Sequence, residues 1–272
     1  MTLRGLGSLL GELQSIPDLN AHLFLVDDGS SDGTGDEVRS RYPHVTVVMG
    51  TGHLFWNGGM CLAYAVAHAI QHYDAFLLFN DDVDLFREEL SRFFDSYQTA
   101  NSLKPTIMVG AMTSRNGESI TYSGLRRTSK YRLLAFQRTV VDGTPHQCDT
   151  FNGNFVMVPG PFFETIGGLD PRYRHGFGDI DLGLVALTHG LDVITYASPI
   201  GICERGVSVS ERIAAGSLKD RWQLLFSGPT GIRPYLYFAW KHGAHLLYPV
   251  YVAQAVLSRC WLMLGAQSHQ EF

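Results

Sequence analysis

Short continuous apolar runs alternate along this chain with longer segments whose apolar residues recur at helical spacing. The run Phe76–Phe79 leads directly into a group of carboxylates, and a run of this kind is typical of a strand buried on both faces. Comparable runs predict further strands at 23–26, 45–49, 106–112, 149–158 and 192–197. Helices are predicted at 1–14, 35–41, 60–72, 86–99, 161–166 and 179–189. This alternation predicts an α/β fold with a mostly parallel, doubly wound sheet.

No strand is predicted before the first helix, where such a sheet normally begins. A doubly wound sheet normally opens with a strand, but the segment 1–14 carries leucines at helical spacing. Loss of a central strand would leave backbone groups of its neighbours unpaired. Three explanations stay open: the start lies upstream, another apolar segment fills the gap, or the chain is impaired. We favour an upstream start.

Composition indicates a globular protein. Of the 272 residues, 45% are apolar and 17% are charged, and the net charge of −5 argues against a nucleic-acid partner. The four cysteines show no CxxC spacing, and the first segment lacks the continuous apolar core of a signal peptide. We therefore expect reduced thiols and a cytoplasmic location.

The segment 246–264 is strongly apolar and aromatic, but Pro249 and Arg259 interrupt it, which argues against a helix that spans a membrane. Two interpretations stay open. The helix lies on the inner face of a membrane as a peripheral contact, or it packs on the protein or at a homodimer contact. We divide the chain into a main domain, 1–205, and a C-terminal helical extension, 206–272.

The carboxylates that follow Phe79 form the strongest chemical signal. Asp81, Asp82 and Asp84 repel one another unless a positive charge lies between them, and Mg²⁺ or Mn²⁺ binds one or two carboxylates together with phosphate oxygens. The alternative is an acidic turn that caps the following helix.

Five motifs, in order, resemble those of inverting family 2 glycosyltransferases, which have the GT-A fold. They occupy 25–34, 52–60, 80–83, 148–154 and 178–182. The second and fourth motifs resemble those of a bacterial branch of the family that builds surface polysaccharides. This branch includes rhamnosyltransferase-like members. The resemblance covers roughly residues 3–205, and Cys61 stands where many relatives carry Arg or Asn.

The resemblance implies a set of site residues. Asp82 would hold the metal, Asp179 would be the catalytic base, and nucleotide contacts would come from Asp27, Asp28, Gly58, Gly59 and Asp81. Contacts with the sugar or acceptor would come from Trp56, Asn152, Asn154 and Asp181. The competing structural roles are turn formation for Asp27–Asp28 and Asn152–Asn154, helix capping for Asp179, and core packing for Trp56.

The implied activity is metal-dependent transfer of a sugar from a nucleotide-diphosphate sugar to a hydroxyl of a saccharide or lipid-linked acceptor, with inversion. Two rivals stay open. The first is a sugar nucleotidyltransferase, although no glycine-rich loop with a basic residue is visible at the first strand. The second is a non-catalytic protein that only binds a sugar nucleotide.

Overall fold

The computed structural model describes residues 1–229 and 231–264 and shows an α/β protein with a mixed central sheet. Through the first half of the chain, the helices and strands follow the predicted alternation. They are α1 (Thr2–Leu13), β1 (Leu23–Asp27), α2 (Thr34–Arg41), β2 (Val45–Met49), α3 (Phe55–Ile70), β3 (Ala75–Phe79), β4 (Asp84–Leu85), α4 (Glu89–Leu103) and β5 (Thr106–Thr113).

Short strands dominate the next segment, and longer elements then complete the sheet. They are β6 (Ile120–Tyr122), β7 (Gly124–Arg127), β8 (Phe136–Arg138), β9 (His146–Gln147), β10 (Thr150–Phe151), β11 (Phe155–Pro159), α5 (Gly160–Ile166), α6 (Gly178–Thr188) and β12 (Asp192–Ile202). The Asn116–Gly117 turn joins β5 to β6 in an antiparallel hairpin, as its sequence predicts.

The sheet is more mixed than the mostly parallel arrangement predicted. Its main path is β3-β11-β5-β12-β4, and β11 runs antiparallel to both β3 and β5, whereas β12 runs parallel to β5. The predicted strand 149–158 is two strands, because Asn152–Asn154 makes a turn between β10 and β11. The α/β class itself is confirmed.

Strands β1 and β2 form a separate parallel pair. Among the described residues, no strand pairs with the other edge of β1, so no apolar segment there fills the position of the missing strand. Helix α1 instead packs beside this pair, where Leu6 and Leu10 share a cluster with Val38 and Val45. The idea of an upstream start stays a prediction.

The C-terminal helices share a core with the main domain. They are α7 (Val209–Ala215), α8 (Leu218–Trp222), a π-helical turn (Gln223–Ser227), α9 (Ile232–His242), a short 3₁₀ turn (His245–Leu247) and α10 (Tyr248–Met263). Phe238 of α9 and Tyr251 of α10 pack with Tyr173 and Leu184. The described part of the predicted helical extension therefore contains helices up to Met263, and residues 230 and 265–272 lie outside it.

Candidate functional site

Strand directions bring distant segments to one edge of the sheet. Since β11 is antiparallel to β3 and β5, and β12 is parallel to β5, the carboxyl ends of β3, β5 and β12 meet beside the amino end of β11. Asn80–Asp82, Asn152–Asn154 and Cys203 lie at this edge, and the Asn80 N–H donates to the Asn154 carbonyl at 3.0 Å. Open α/β sheets bind ligands beyond such strand ends.

Asp82 is a half-buried carboxylate without a strong partner. Its Oδ1 accepts a weak bond from the Cys203 thiol at 3.5 Å, and Asn154 Nδ2 donates to the same sulfur at 3.4 Å. Burial raises the pKa of Asp82, the Cys203 bond opposes this, and the charge of Asp81 raises it further. Within the described residues, Asp82 forms no ion pair. A cation would therefore complement this carboxylate.

The neighbouring carboxylates are already partnered. Asp81 is exposed and accepts a bond from the Thr2 hydroxyl of α1, and Asp84 pairs with Arg4 at 2.7 Å. Residue 5 of α1 is glycine because its Cβ would stand 2.4 Å from the Asp81 carbonyl oxygen. Helix α1 therefore holds this acidic turn in place.

Asp179 lies in the first turn of α6 and contacts the turn that precedes β11. Its Oδ2 accepts from the Gly153 N–H at 3.0 Å, and its Oδ1 accepts from its neighbour Ile180 N–H at 2.9 Å. Burial raises the pKa of Asp179, and these two bonds oppose the shift. The N-cap position belongs to Phe177, so Asp179 is not the N-cap residue that the alternative required.

The two acidic clusters converge on consecutive residues. Asp82 reaches Asn154 through the Cys203 sulfur, and Asp179 bonds to Gly153 directly. Both carboxylates are therefore tied to the 152–154 turn at the amino end of β11, and we call the region around this turn the recess. That both open onto one ligand site stays a prediction. Any side chain at 153 would enter this recess, because a Cβ there would stand 3.1 Å from the Asp179 Cβ.

Trp56 lies beside the same turn. Its Nε1 donates to Asn80 Oδ1 at 2.6 Å, and its ring lies 2.5 Å from where a Cβ on Gly153 would stand. The ring also packs against the main core cluster, so the core-packing alternative is present, and contact with a sugar stays a prediction. Asn152 is half-buried, and no hydrogen bond of its side chain is found among the described residues, which leaves its amide free for a ligand.

Asp27 and Asp28 hold backbone loops. Asp28 accepts from the N–H groups of Gly52, Leu54 and Phe55 at 2.7, 2.7 and 3.2 Å, whereas Asp27 accepts from the Ser30 N–H at 2.8 Å. Slight burial raises the pKa of Asp28, but the backbone bonds outweigh it and lower the pKa overall. The turn-forming alternative is therefore present in the structure, and contact with a nucleobase stays a prediction.

Those bonds also explain why α3 begins at Phe55 rather than at the predicted Met60. The first N–H groups of a helix have no partner within it, and the Asp28 carboxylate accepts from this end. Gly58 and Gly59 therefore lie inside the first turns of α3. Gly58 lines a groove of about 460 Å³ together with Cys61 and Arg174.

Asp181 is held by the C-terminal helix α9. It is 3% exposed and contacts Lys241 at 2.8 Å, His242 at 2.6 Å and the Tyr173 hydroxyl at 3.2 Å. These partners join α6 to α9. We therefore assign Asp181 to anchoring the C-terminal helices and leave it out of the proposed sugar site.

Three contributors were missed in the sequence: one side chain and two residues with strained backbone. Cys203 lies far along the chain from Asp82, and only its position after the last strand of the sheet could have pointed to it. Phe177, just before Gly178–Asp179, has a φ of 75°, and Phe55, before Trp56, has a φ of 56°. Such strained backbone costs about 1–3 kcal/mol per residue and occurs at functional sites. Neither conformation has a sequence signal.

Comparison with known proteins identifies the fold. No family model and no curated protein matches the chain. A solved structure described as "Crystal structure of GalNAc-T7 with UDP, GalNAc and Mn2+" superposes with a TM-score of 0.50 at 10% identity over 88% of this chain. The match covers 51% of that structure, so this chain spans about half its length. A second structure, A197 from STIV, gives a TM-score of 0.42 at 11% identity, over 70% of this chain and 98% of that one. The chain has the GT-A glycosyltransferase fold.

Proposed function

We propose that this protein is an inverting glycosyltransferase that moves a sugar from a nucleotide-diphosphate sugar to a hydroxyl acceptor in bacterial surface polysaccharide synthesis. The observation that carries the proposal is the convergence of two distant aspartates on consecutive residues. Asp179 accepts from the Gly153 N–H, and Asp82 is linked to Asn154 through the Cys203 sulfur. The fold supports it, because the GT-A neighbour was crystallised with UDP, GalNAc and Mn²⁺. The family 2 and rhamnosyltransferase-like assignments remain part of this proposal.

Asp179 is the base in this proposal. Inversion by direct displacement needs one carboxylate to take the proton of the acceptor hydroxyl while its oxygen attacks the sugar and the diphosphate leaves. The raised pKa of Asp179 makes it a better proton acceptor than an ordinary aspartate. Its bond to the Gly153 N–H fixes its orientation beside the Trp56 ring.

Asp82 fits a hard divalent cation. Its carboxylate is desolvated, forms no ion pair among the described residues, and has the charged Asp81 next to it. Mg²⁺ or Mn²⁺ bound there would neutralise the diphosphate as it leaves. Asn152 and Asn154 are the amides that would fix sugar hydroxyls.

A donor-hydrolysis assay tests the proposal. A panel of nucleotide sugars is incubated with the protein and Mn²⁺, and release of nucleoside diphosphate is measured. We expect Asp82→Asn to lower the Mn²⁺-dependent rate by about 10²-fold or more, because several kcal/mol of charge stabilisation would be lost. Asp36→Asn, on the exposed face of α2, is the matched control. Release of pyrophosphate in a parallel incubation with a nucleoside triphosphate and a sugar 1-phosphate would instead indicate a nucleotidyltransferase. Donor binding without turnover in either incubation would indicate a non-catalytic protein.

We also propose that the protein is cytoplasmic and that α10 contacts the inner face of a membrane. Helix His245–Met263 is long and apolar enough to cross a membrane by length and composition, and only 11% of its apolar window is buried. Leu246, Leu257 and Trp261 are 96%, 68% and 60% exposed. A lipid-linked acceptor would then be presented to the site. Co-sedimentation with anionic vesicles tests this contact. The natural chain should sediment with the vesicles, and the double variant Leu257→Ser/Trp261→Ser should not. A concentration-dependent dimer without vesicle binding would favour the homodimer alternative.

A further inference from the structure

A cluster of metal-ligating side chains lies on the surface formed by α3, β3 and α5. His68 is in the last turn of α3, His72 is in the connection from α3 to β3, and Glu164 is on α5. His72 Nδ1 lies 2.8 Å from Glu164 Oε2, and His68 Nδ1 lies 3.6 Å from Glu164 Oε1. One ligand atom from each of the three lies within 4.8 Å of the others.

The local contacts leave this cluster incomplete. Glu164 Oε1 is buried and has no hydrogen-bond partner among the described residues, and it faces His68 at a distance too long for a hydrogen bond. A buried acceptor without a partner is unfavourable, so this oxygen is available to a ligand. The side chains of His68 and His72 are 43% and 86% exposed, so an ion could enter from solvent.

The distances suit a tetrahedral ion. Bonds of 2.0–2.1 Å from zinc to imidazole nitrogen or carboxylate oxygen place two ligand atoms about 3.3 Å apart. The two measured separations, 2.8 and 3.6 Å, lie on either side of this value. The third separation, between the two histidines, is at most 4.8 Å. Side-chain movements of the exposed histidines would bring it to the tetrahedral value, with water as the fourth ligand.

The donor set distinguishes this cluster from the acidic recess. Two imidazoles and one carboxylate favour Zn²⁺ or a similar transition-metal ion, whereas Mg²⁺ and Mn²⁺ favour oxygen ligands. We propose that His68, His72 and Glu164 form a Zn²⁺ site that clamps the α3–β3 connection to α5. The site does not depend on the proposed sugar transfer, and its ion would be a different one from that at Asp82.

Zinc binding to the full chain, stripped of metal with a chelator, tests the proposal. Competition with a chromophoric chelator should show one Zn²⁺ per chain that binds far more tightly than Mg²⁺. At Zn²⁺ about 100-fold above its dissociation constant, we expect the unfolding midpoint to rise by about 5–10 °C. Co²⁺ bound in its place should give the visible absorption of a tetrahedral complex.

Single-residue variants locate the site. His68→Gln, His72→Gln and Glu164→Gln should each weaken Zn²⁺ binding by about tenfold or more and abolish the Co²⁺ spectrum. The matched control is His44→Gln, an exposed histidine before β2, which should bind Zn²⁺ as the natural chain does. Asp82→Asn should also retain Zn²⁺ binding, which separates this site from the proposed transferase site. Equal Zn²⁺ affinity in the natural chain and all three ligand variants would overturn the proposal.

Discussion

The acidic segment after β3 and the first turn of α6 each contain one carboxylate without an ion pair among the described residues and another that holds the fold together. Asp82 and Asp179 form no ion pair among the described residues, and burial raises the pKa of both. Asp84 instead pairs with Arg4, and Asp181 pairs with Lys241 and His242. Neighbouring aspartates of one motif therefore have different roles, because helices from opposite ends of the chain neutralise only one of them. Substituting each aspartate with asparagine separates these roles.

The largest effect is expected for Asp179→Asn. If this carboxylate is the base, its loss should lower the rate of sugar transfer to the acceptor by about 10²–10⁴-fold, with little change in donor affinity. Release of nucleoside diphosphate reports this rate. Steady-state rates and donor binding in the presence of Mn²⁺ measure the two quantities. The same substitution at exposed Asp36 serves as control, and an Asp179→Asn protein with natural activity would remove Asp179 from the mechanism.

A large loss of stability is expected for Asp181→Asn. Lys241 would keep only Asp170 as a counter-charge, and His242 would lose its carboxylate partner. Breaking a buried pair from one side costs about 3 kcal/mol. Urea unfolding should show this loss, together with looser packing of α9. An unchanged midpoint would mean that Asp181 does not anchor the C-terminal helices.

The pH dependence of stability should differ between natural protein and Asp179→Asn. As pH rises from the ordinary aspartate value of 3.8, the unfolded carboxyl ionises first, because burial raises the pKa of the folded one. The unfolded state then binds fewer protons, so the natural protein should lose stability relative to the variant until pH passes the folded pKa. Urea unfolding from about pH 3.5 to 7 measures this difference. A difference of the opposite sign would mean that hydrogen bonds, rather than burial, dominate at Asp179.

The smallest effect is expected for Asp84→Asn. Arg4 is 54% exposed and Asp84 is 24% exposed, so water screens this pair. We expect a loss of about 0–1 kcal/mol in unfolding free energy. A loss as large as that of Asp181→Asn would show that α1 depends on this ion pair to hold the acidic turn.

Local patterns were sufficient for much of the fold. The apolar run of β3, the helical spacing in α1 and the Asn116–Gly117 turn each depend on residues close together in the chain, and the structure has these elements where they were predicted. Strand direction was not predictable in the same way. The direction of β11 in the sheet depends on the connection formed by the short strands that precede it. No local sequence pattern indicates how that connection is arranged.

The sequence alone determined the α/β class, the two acidic clusters and the asparagines near β11, because apolar spacing and side-chain chemistry are local properties. Tertiary structure alone decided which aspartate in each cluster lacks a counter-charge. Arg4, Lys241 and His242 come from opposite ends of the chain, and their effect on Asp84 and Asp181 depends on distance in space. The link from Asp82 through Cys203 to Asn154 has the same origin, because electrostatic and hydrogen-bond energies depend on distances that only the folded chain defines.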